Sequence, residues 1–123
     1  MSNTYPESRY CLRDIEEIVS KKFNLEPREL RRRSQYQKIV QPRQVIYFLA
    51  REVTALSLPQ IGRRYGFDHS TVLSGVRRVR SLAAADPALA SKIENCRDTL
   101  FRSTPYRERI AAAVADGIGR VGQ

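Results

Sequence analysis

The sequence predicts an all-α protein, a bundle of helices, on three observations. Apolar residues recur at intervals of three and four in several segments, which is the spacing of one helix face. Proline and small polar residues stand where these segments begin. The alternation of apolar and polar residues that marks a half-buried strand is absent from the sequence. With 123 residues, of which 41% are hydrophobic, we expect one domain with a single core.

The first part of the chain predicts a flexible segment and two helices. Residues 1–9 are polar and are expected to form a flexible N-terminus. A first helix is predicted over residues 10–23, and Asn24 is a plausible stop. Its apolar positions are Leu12, Ile15, Ile18, Val19 and Phe23. Pro27 is typical of a first helical turn and predicts a short second helix over residues 26–31.

A loop and a third helix are predicted next. Residues 31–38 are polar and basic without periodicity, which predicts a loop. Pro42 is predicted to open the third helix. The buried stripe of that helix is predicted to consist of Val45, Phe48, Leu49 and Val53. Arg43, Gln44 and Arg51 are predicted to stay outside.

Residues 57–73 predict a short helix, a glycine turn and a second helix, the order of a helix-turn-helix. Ser57 is the predicted N-cap of the first helix, and Gly66 can adopt the left-handed conformation that ends it. Asp68 is predicted to cap the second helix, which runs to about residue 84, and its carboxylate suits the positive end of the helix dipole.

The second of these helices has two distinct faces. Its predicted buried positions are Val72, Val76, Val79 and Ala83, and its predicted outward positions are Ser70, Ser74, Arg77 and Ser81. A helix with a buried back and Asp, His, Ser and Thr at its exposed start suits the major groove of DNA. The alternative is an ordinary helix pair with a solvated polar face.

The end of the chain predicts one more long helix and a tail. Asp86-Pro87 predicts the start of that helix. Its inward positions are predicted to be Leu89, Ile93, Cys96 and Leu100. Ser103-Thr104-Pro105 is predicted to break the chain, before a short helix over 106–118. We therefore expect residues 103–123 to form a helical extension or tail, which either closes the core, frays, or docks a partner protein.

The net charge of +9 is concentrated in the middle of the chain. Residues 28–80 hold twelve basic and three acidic side chains, whereas residues 1–27 hold four and five, and residues 81–123 hold six and five. Such an excess around a helix-turn-helix favours DNA, because neutralised phosphates release their counterions. It does not favour a membrane surface, since the basic residues do not alternate with a wide apolar face.

The sequence does not favour a metal site, a catalytic site or a nucleotide-binding site. His69, the only histidine, has no metal-ligating partners nearby, and Asp68, His69 and Ser70 are consecutive, so they do not form a catalytic triad. We therefore expect neither a metal nor enzyme activity. No G-x-x-x-x-G-K-[ST] motif is present, so we expect no bound nucleotide and no cofactor. Cys11 and Cys96 are expected to be small buried hydrophobes, with a disulfide or redox role as the alternative.

Three short runs carry a family resemblance. They are Pro42-Arg43-Gln44, Ser57-Leu58-Pro59-Gln60-Ile61-Gly62 and Asp68-His69-Ser70-Thr71-Val72-Leu73. In this order and spacing they resemble the C-terminal DNA-binding domain of the bacterial replication initiator DnaA, over roughly residues 15–100. The resemblance implies a helical bundle built around a helix-turn-helix within residues 10–102. It also implies a recognition helix that reads a short box in the major groove, and a basic loop that inserts arginine into the minor groove.

The resemblance also implies which residues contact DNA. Asp68, His69 and Ser70 would face base edges, and Thr71 would bind a phosphate. Leu58 and Pro59 match family positions where the chain approaches a phosphate at a helix N-terminus, whose unpaired N–H groups suit an anion. The full set of candidate DNA-binding residues is Arg32, Arg33, Lys38, Arg43, Gln44, Leu58, Pro59, Asp68, His69, Ser70, Thr71, Ser74, Arg77 and Arg78.

The sequence departs from the family pattern in three places. Gly66-Phe67 stands where the family usually has one more residue, with an arginine just before the Asp-His pair. Gln35 aligns with the minor-groove arginine, so Arg32 or Arg33 would have to replace it. The ATPase motif of the initiator is absent from the sequence.

Three functional hypotheses follow. The first is a sequence-specific regulator of transcription that binds double-stranded DNA and acts with a sigma-factor-like or RNA-polymerase-contacting partner. The alternative is a modulator of chromosome replication that binds initiator boxes at the origin. The third is an adaptor with an incidental basic face. No apolar run has the length of a membrane span and no signal peptide is evident, so we expect a cytoplasmic, nucleoid-associated protein.

Overall fold

The computed structural model describes residues 12–32 and 36–102, which form six helices. They are α1 (Leu12–Lys22), α2 (Pro27–Leu30), α3 (Gln37–Val53), α4 (Leu58–Tyr65), α5 (His69–Ala85) and α6 (Pro87–Arg102). No strand occurs among the residues described, and the prediction of an all-α fold is confirmed. The expectations for residues 1–9, for the break at 103–105 and for a helix over 106–118 concern segments outside the described residues.

The bundle is organised around α3, which packs against both α1 and α5. The short helix α4 lies on α5, and α6 covers α1 and α5. Each helix contributes buried apolar side chains to one continuous core. Its fully buried members include Ile15, Val19, Leu30, Val45, Ile46, Leu49, Ile61, Val72, Val79 and Leu100. Within the described residues, no helix is long and apolar enough to serve as a membrane span.

The helix ends follow the local signals in the sequence. Ser57 caps α4 and forms a capping box with Gln60, each side chain bonding the other residue's backbone N–H. Gly66 ends α4 in the left-handed conformation, with φ of 76°. Asp68 caps α5. These three predictions are confirmed, and they fix the geometry of the turn between α4 and α5.

The start of α3 differs from the prediction. The helix begins at Gln37, and Pro42 lies inside it. The carbonyl of Tyr36 accepts hydrogen bonds from the N–H groups of Ile39 and Val40, and the Ile39 side chain is buried. Pro42 has no N–H to donate to the carbonyl of Lys38, so one hydrogen bond is missing near the start of the helix. The burial of Ile39 therefore extends the helix upstream, into residues 37 and 38 of the predicted loop.

A buried carboxylate joins three parts of the chain. Glu16 in α1 is 1% exposed, and its Oε1 accepts hydrogen bonds from Nη1 of Arg31 at 2.6 Å and from Nη2 of Arg64 at 2.9 Å. Its Oε2 accepts from Nε of Arg64 at 3.1 Å and from the hydroxyl of Tyr65 at 2.8 Å. Burial, followed by the negative charge of Glu16, raises the pKa of Tyr65, so its hydroxyl stays protonated and donates. This cluster fixes α1, α4 and the chain after α2 relative to one another.

The prediction for Cys96 is confirmed, since it is fully buried in the core as a free thiol. Burial raises its pKa to about 11, which keeps the thiol protonated and unreactive near neutral pH. Cys11 lies outside the described residues.

Candidate nucleic-acid interface

The first half of α5 presents a polar surface backed by the core. Val72, Val76 and Val79 are buried against the bundle, as the helical spacing predicts. The exposed residues of α5 include His69, Ser70, Thr71, Ser74, Arg77, Arg78 and Ser81. These side chains combine hydrogen-bond donors and acceptors with two guanidinium groups, the chemistry that reads base edges and holds phosphates.

The cap at Asp68 positions the exposed start of α5. Its Oδ1 accepts a hydrogen bond from the N–H of Thr71 at 3.0 Å. This bond is the main reason that the pKa of Asp68 lies below its ordinary value. The carboxylate is therefore ionised at neutral pH and stabilises the first turn of α5.

The pKa of Asp68 leads to a prediction about acid stability. A carboxyl with a lower pKa in the folded state stabilises the fold above its unfolded pKa, and that stabilisation disappears as the pH falls through the folded pKa. Asp68→Asn keeps a capping side chain but does not titrate. We expect its urea midpoint to fall less between pH 5 and pH 2 than that of the wild type. Equal losses in the two proteins would show that the cap does not contribute through its charge.

Two arginines outside the predicted DNA-binding set lie near the N-terminus of α4. A cleft of about 390 Å³ is lined by Phe48, Arg51, Glu52, Leu58, Leu73, Val76 and Arg80. Arg51 and Arg80 are exposed residues on α3 and α5, and Leu58 is the first residue of α4. Cations beside a helix N-terminus suit an anion such as a phosphate. The sequence gives no sign of this grouping, because the three residues come from separate helices.

A second cleft, of about 150 Å³, brings three of the candidate DNA contacts together, Arg43, Gln44 and Thr71. Its lining residues are Val40, Arg43, Gln44, Tyr47, Phe67 and Thr71. Gln44 of α3 and Thr71 of α5 thus face a common space. Oε1 of Gln44 and the hydroxyl of Tyr47 are buried with no hydrogen-bond partner among residues 12–32 and 36–102. Burial raises the pKa of Tyr47 to about 12, so this hydroxyl remains a donor.

The prediction that Arg43 stays outside is wrong. Arg43 is only 4% exposed, and its guanidinium donates to the backbone carbonyls of Leu30 and Arg32. The error has a physical reason: α3 begins five residues earlier than expected and is buried on more than one side, so Arg43 falls on an inner face between Ile39 and Ile46.

Of the three consecutive arginines at positions 31–33, the structure describes Arg31 and Arg32. Arg31 is paired with the buried Glu16, although 41% of the arginine side chain is exposed. Arg32 is exposed. Arg33 and Gln35 lie outside the described residues. Lys38 is exposed in the first turn of α3, and Pro59 is exposed in the first turn of α4.

Comparison with known proteins gives a consistent result. The family model described as bacterial dnaA protein helix-turn-helix matches residues 12–79, more than half of the chain. The chain is 40% identical over 87 residues to the chromosomal replication initiator protein DnaA of Rhodopseudomonas palustris (strain BisB18). The aligned residues make up 70% of this chain and 18% of that protein.

Two further relatives carry the same description. The DnaA protein of Brucella abortus biovar 1 (strain 9-941) is 41% identical over 87 residues, covering 70% of this chain and 18% of that protein. The DnaA protein of Bradyrhizobium sp. (strain ORS 278) is 38% identical over 93 residues, covering 75% and 20%. The chain spans about a fifth of the length of the curated relatives it matches.

Proposed function

Because the chain belongs to the bacterial DnaA helix-turn-helix family, we propose that it is a sequence-specific double-stranded DNA-binding protein that modulates chromosome replication by occupying initiator boxes. The relatives named above are replication initiators, which favours this role over transcription regulation with a sigma-factor-like or polymerase-contacting partner. The proposed role is binding rather than catalysis, and it locates the protein on the nucleoid, in the cytoplasm.

One observation carries this proposal: the start of α5 is exposed and polar while its back is buried in the core. In this proposal the exposed side chains of His69, Ser70 and Ser74 read base edges, and Arg77 and Arg78 follow on the same exposed surface. Arg32, Lys38, Thr71 and the N-terminus of α4 at Leu58-Pro59 supply phosphate contacts in this proposal. Arg51 and Arg80 add two positive charges beside that N-terminus.

Selection of bound duplexes from a random pool, followed by an occupancy map on the genome, tests the function. The proposal expects a defined box to be enriched and the genomic peaks to fall at the replication origin. Peaks at promoters alone would support transcription regulation instead. No preference over random duplex would contradict sequence-specific binding altogether.

His69 is expected to contribute to specificity. Its side chain is exposed in the first turn of α5. His69→Ala is expected to weaken binding to the selected box by roughly 1–3 kcal/mol and to leave binding to random duplex unchanged. Fluorescence anisotropy with both duplexes measures the two affinities. Ser91→Ala, at an exposed position of α6, is the control and should change neither affinity. Equal losses on both duplexes for the histidine change would contradict base reading at this position.

Arg77 is expected to contribute mainly through charge. Arg77→Ala removes one exposed cation from α5 and should weaken binding to both duplexes. The slope of log affinity against log salt concentration should flatten by about one unit. Arg102→Ala, an exposed change at the end of α6, serves as the charge-matched control and should leave the slope unchanged. An unaltered slope for Arg77→Ala would remove Arg77 from the phosphate contacts.

A further inference from the structure

We propose that Arg43 is a positioning residue that holds the end of α2 and the start of α5 in a fixed relation, and thereby determines which DNA sequences the protein accepts. The inference rests on the proposed DNA-binding function. It concerns a residue for which the family resemblance implies direct DNA contact and which the structure places inside the protein.

The guanidinium of Arg43 holds the backbone at the end of α2. Its Nε donates to the carbonyl of Leu30 at 3.0 Å, and its Nη2 donates to the carbonyl of Arg32. Carbonyls at a helix C-terminus lack partners within the helix and carry partial negative charge, so a cation satisfies them well. The side chain of Leu30 is fully buried, which anchors the same segment from its other side. The backbone that carries the exposed Arg32 side chain is therefore fixed by α3.

The same guanidinium contacts the turn that precedes α5. Its Cζ lies 5.3 Å from the centroid of the Phe67 ring, a cation–π contact. Phe67 immediately precedes the Asp68 cap, and its N–H donates to the carbonyl of Gly62 at 3.0 Å. Phe67 is thus held by Arg43 through its ring and by α4 through its backbone, directly before the first turn of α5, where His69 and Ser70 are exposed.

Arg43 thus touches two segments that supply proposed DNA contacts, while being 96% inaccessible itself. A planar guanidinium can donate to two carbonyls at fixed angles and stack on a ring at the same time. A lysine ammonium in its place carries the same charge but has no planar fork and does not stack in this way. The arrangement therefore uses the shape of Arg43 in addition to its charge.

Arg43→Lys separates this role from direct contact with a phosphate. We expect binding to the duplex selected by the wild-type protein to weaken about tenfold, a factor that corresponds to about 1.4 kcal/mol. Binding to a random-sequence duplex of equal length, and its salt slope, should stay unchanged because the charge is kept. Anisotropy titrations measure the affinity for each duplex and so give the ratio of specific to random binding. Circular dichroism checks that the variant keeps its helicity.

A second variant tests the coupling through Phe67. Phe67→Leu keeps an apolar side chain but removes the ring. Like Arg43→Lys, it should weaken binding to the selected duplex. Because both changes break one arrangement, the double variant should lose less than the product of the two single losses. Arg97→Lys is the matched control: Arg97 forms a similar forked contact, with Glu52 across α6 and α3, and its change should leave the ratio of specific to random binding unaltered.

The outcomes separate this inference from the proposed function. An unchanged ratio for Arg43→Lys, or equal losses on both duplexes, would overturn the positioning role. Multiplicative losses in the double variant would also overturn it, because they would show two independent effects. A wild-type protein that does not discriminate between the duplexes would instead overturn the proposed function itself.

Discussion

Replacing Gly62 by alanine is expected to destabilise the protein by about 3 kcal/mol and to weaken its binding to DNA. Gly62 lies in α4, where the backbone of the following turn approaches closely. A Cβ atom at this position would lie 2.3 Å from the carbonyl oxygen of Phe67 and 3.1 Å from Cγ2 of Val72. Since the first of these neighbours is backbone, the clash can be relieved only by moving the turn between α4 and α5.

The expected sign is opposite to that of helix propensity. In an unobstructed helix, glycine to alanine stabilises by roughly 1 kcal/mol. Here the displaced Phe67 carries the ring that contacts Arg43 and precedes the Asp68 cap, so the strain also disturbs the start of α5. Loss of stability and loss of specific binding should therefore occur together.

Urea unfolding followed by circular dichroism measures the effect as a change in midpoint at constant slope. Arg63→Ala changes the adjacent, exposed residue of the same helix and should stay within about 0.5 kcal/mol of the wild type. A Gly62→Ala protein as stable as the wild type would contradict the close approach of the two backbone segments.

The second large effect is expected at Glu16. Glu16→Gln should lower the free energy of unfolding by about 3 kcal/mol, because removing one partner of a buried ion pair leaves the others uncompensated. The carboxylate accepts hydrogen bonds from Arg31, Arg64 and Tyr65, whereas an amide offers one oxygen and turns a donor towards them. The side chains of Arg31 and Arg64 are 41% and 32% exposed, so they regain some hydration, and the expected loss lies at the low end of the range for buried pairs.

The matched control for this change is Glu17→Gln, at the neighbouring exposed position of α1. It removes the same charge and should alter the unfolding free energy by less than about 0.5 kcal/mol. The loss of unfolding free energy in Glu16→Gln should be similar at low and moderate salt, because a buried pair is screened only weakly. Chemical denaturation at both salt concentrations measures this loss. A Glu16→Gln protein that matches the control would show that the cluster contributes nothing to stability.

A polar residue on an apolar stripe is a signal that the sequence does contain. Glu16 is four residues after Leu12 and three before Val19, which places it on the buried face of α1. Its partners are not indicated in this way, because Arg31 and Arg64 are 15 and 48 residues away. The sequence could therefore have predicted a buried carboxylate, and only the fold shows which charges compensate it.

Local sequence signals are enough to predict the all-α class, the helix-turn-helix, the ends of α4 and the outward face of α5. Each depends on hydrogen bonds or spacing within a few residues, as at Ser57, Gly66 and Asp68. The start of α3 at Gln37 and the inward orientation of Arg43, in contrast, depend on the packing of the whole bundle. This is because the burial of a side chain depends on helices far apart in the chain: α3 is enclosed around most of its circumference, so only a narrow stripe that includes Gln44 and Phe48 stays partly exposed, and Arg43 falls beside that stripe on an inner face.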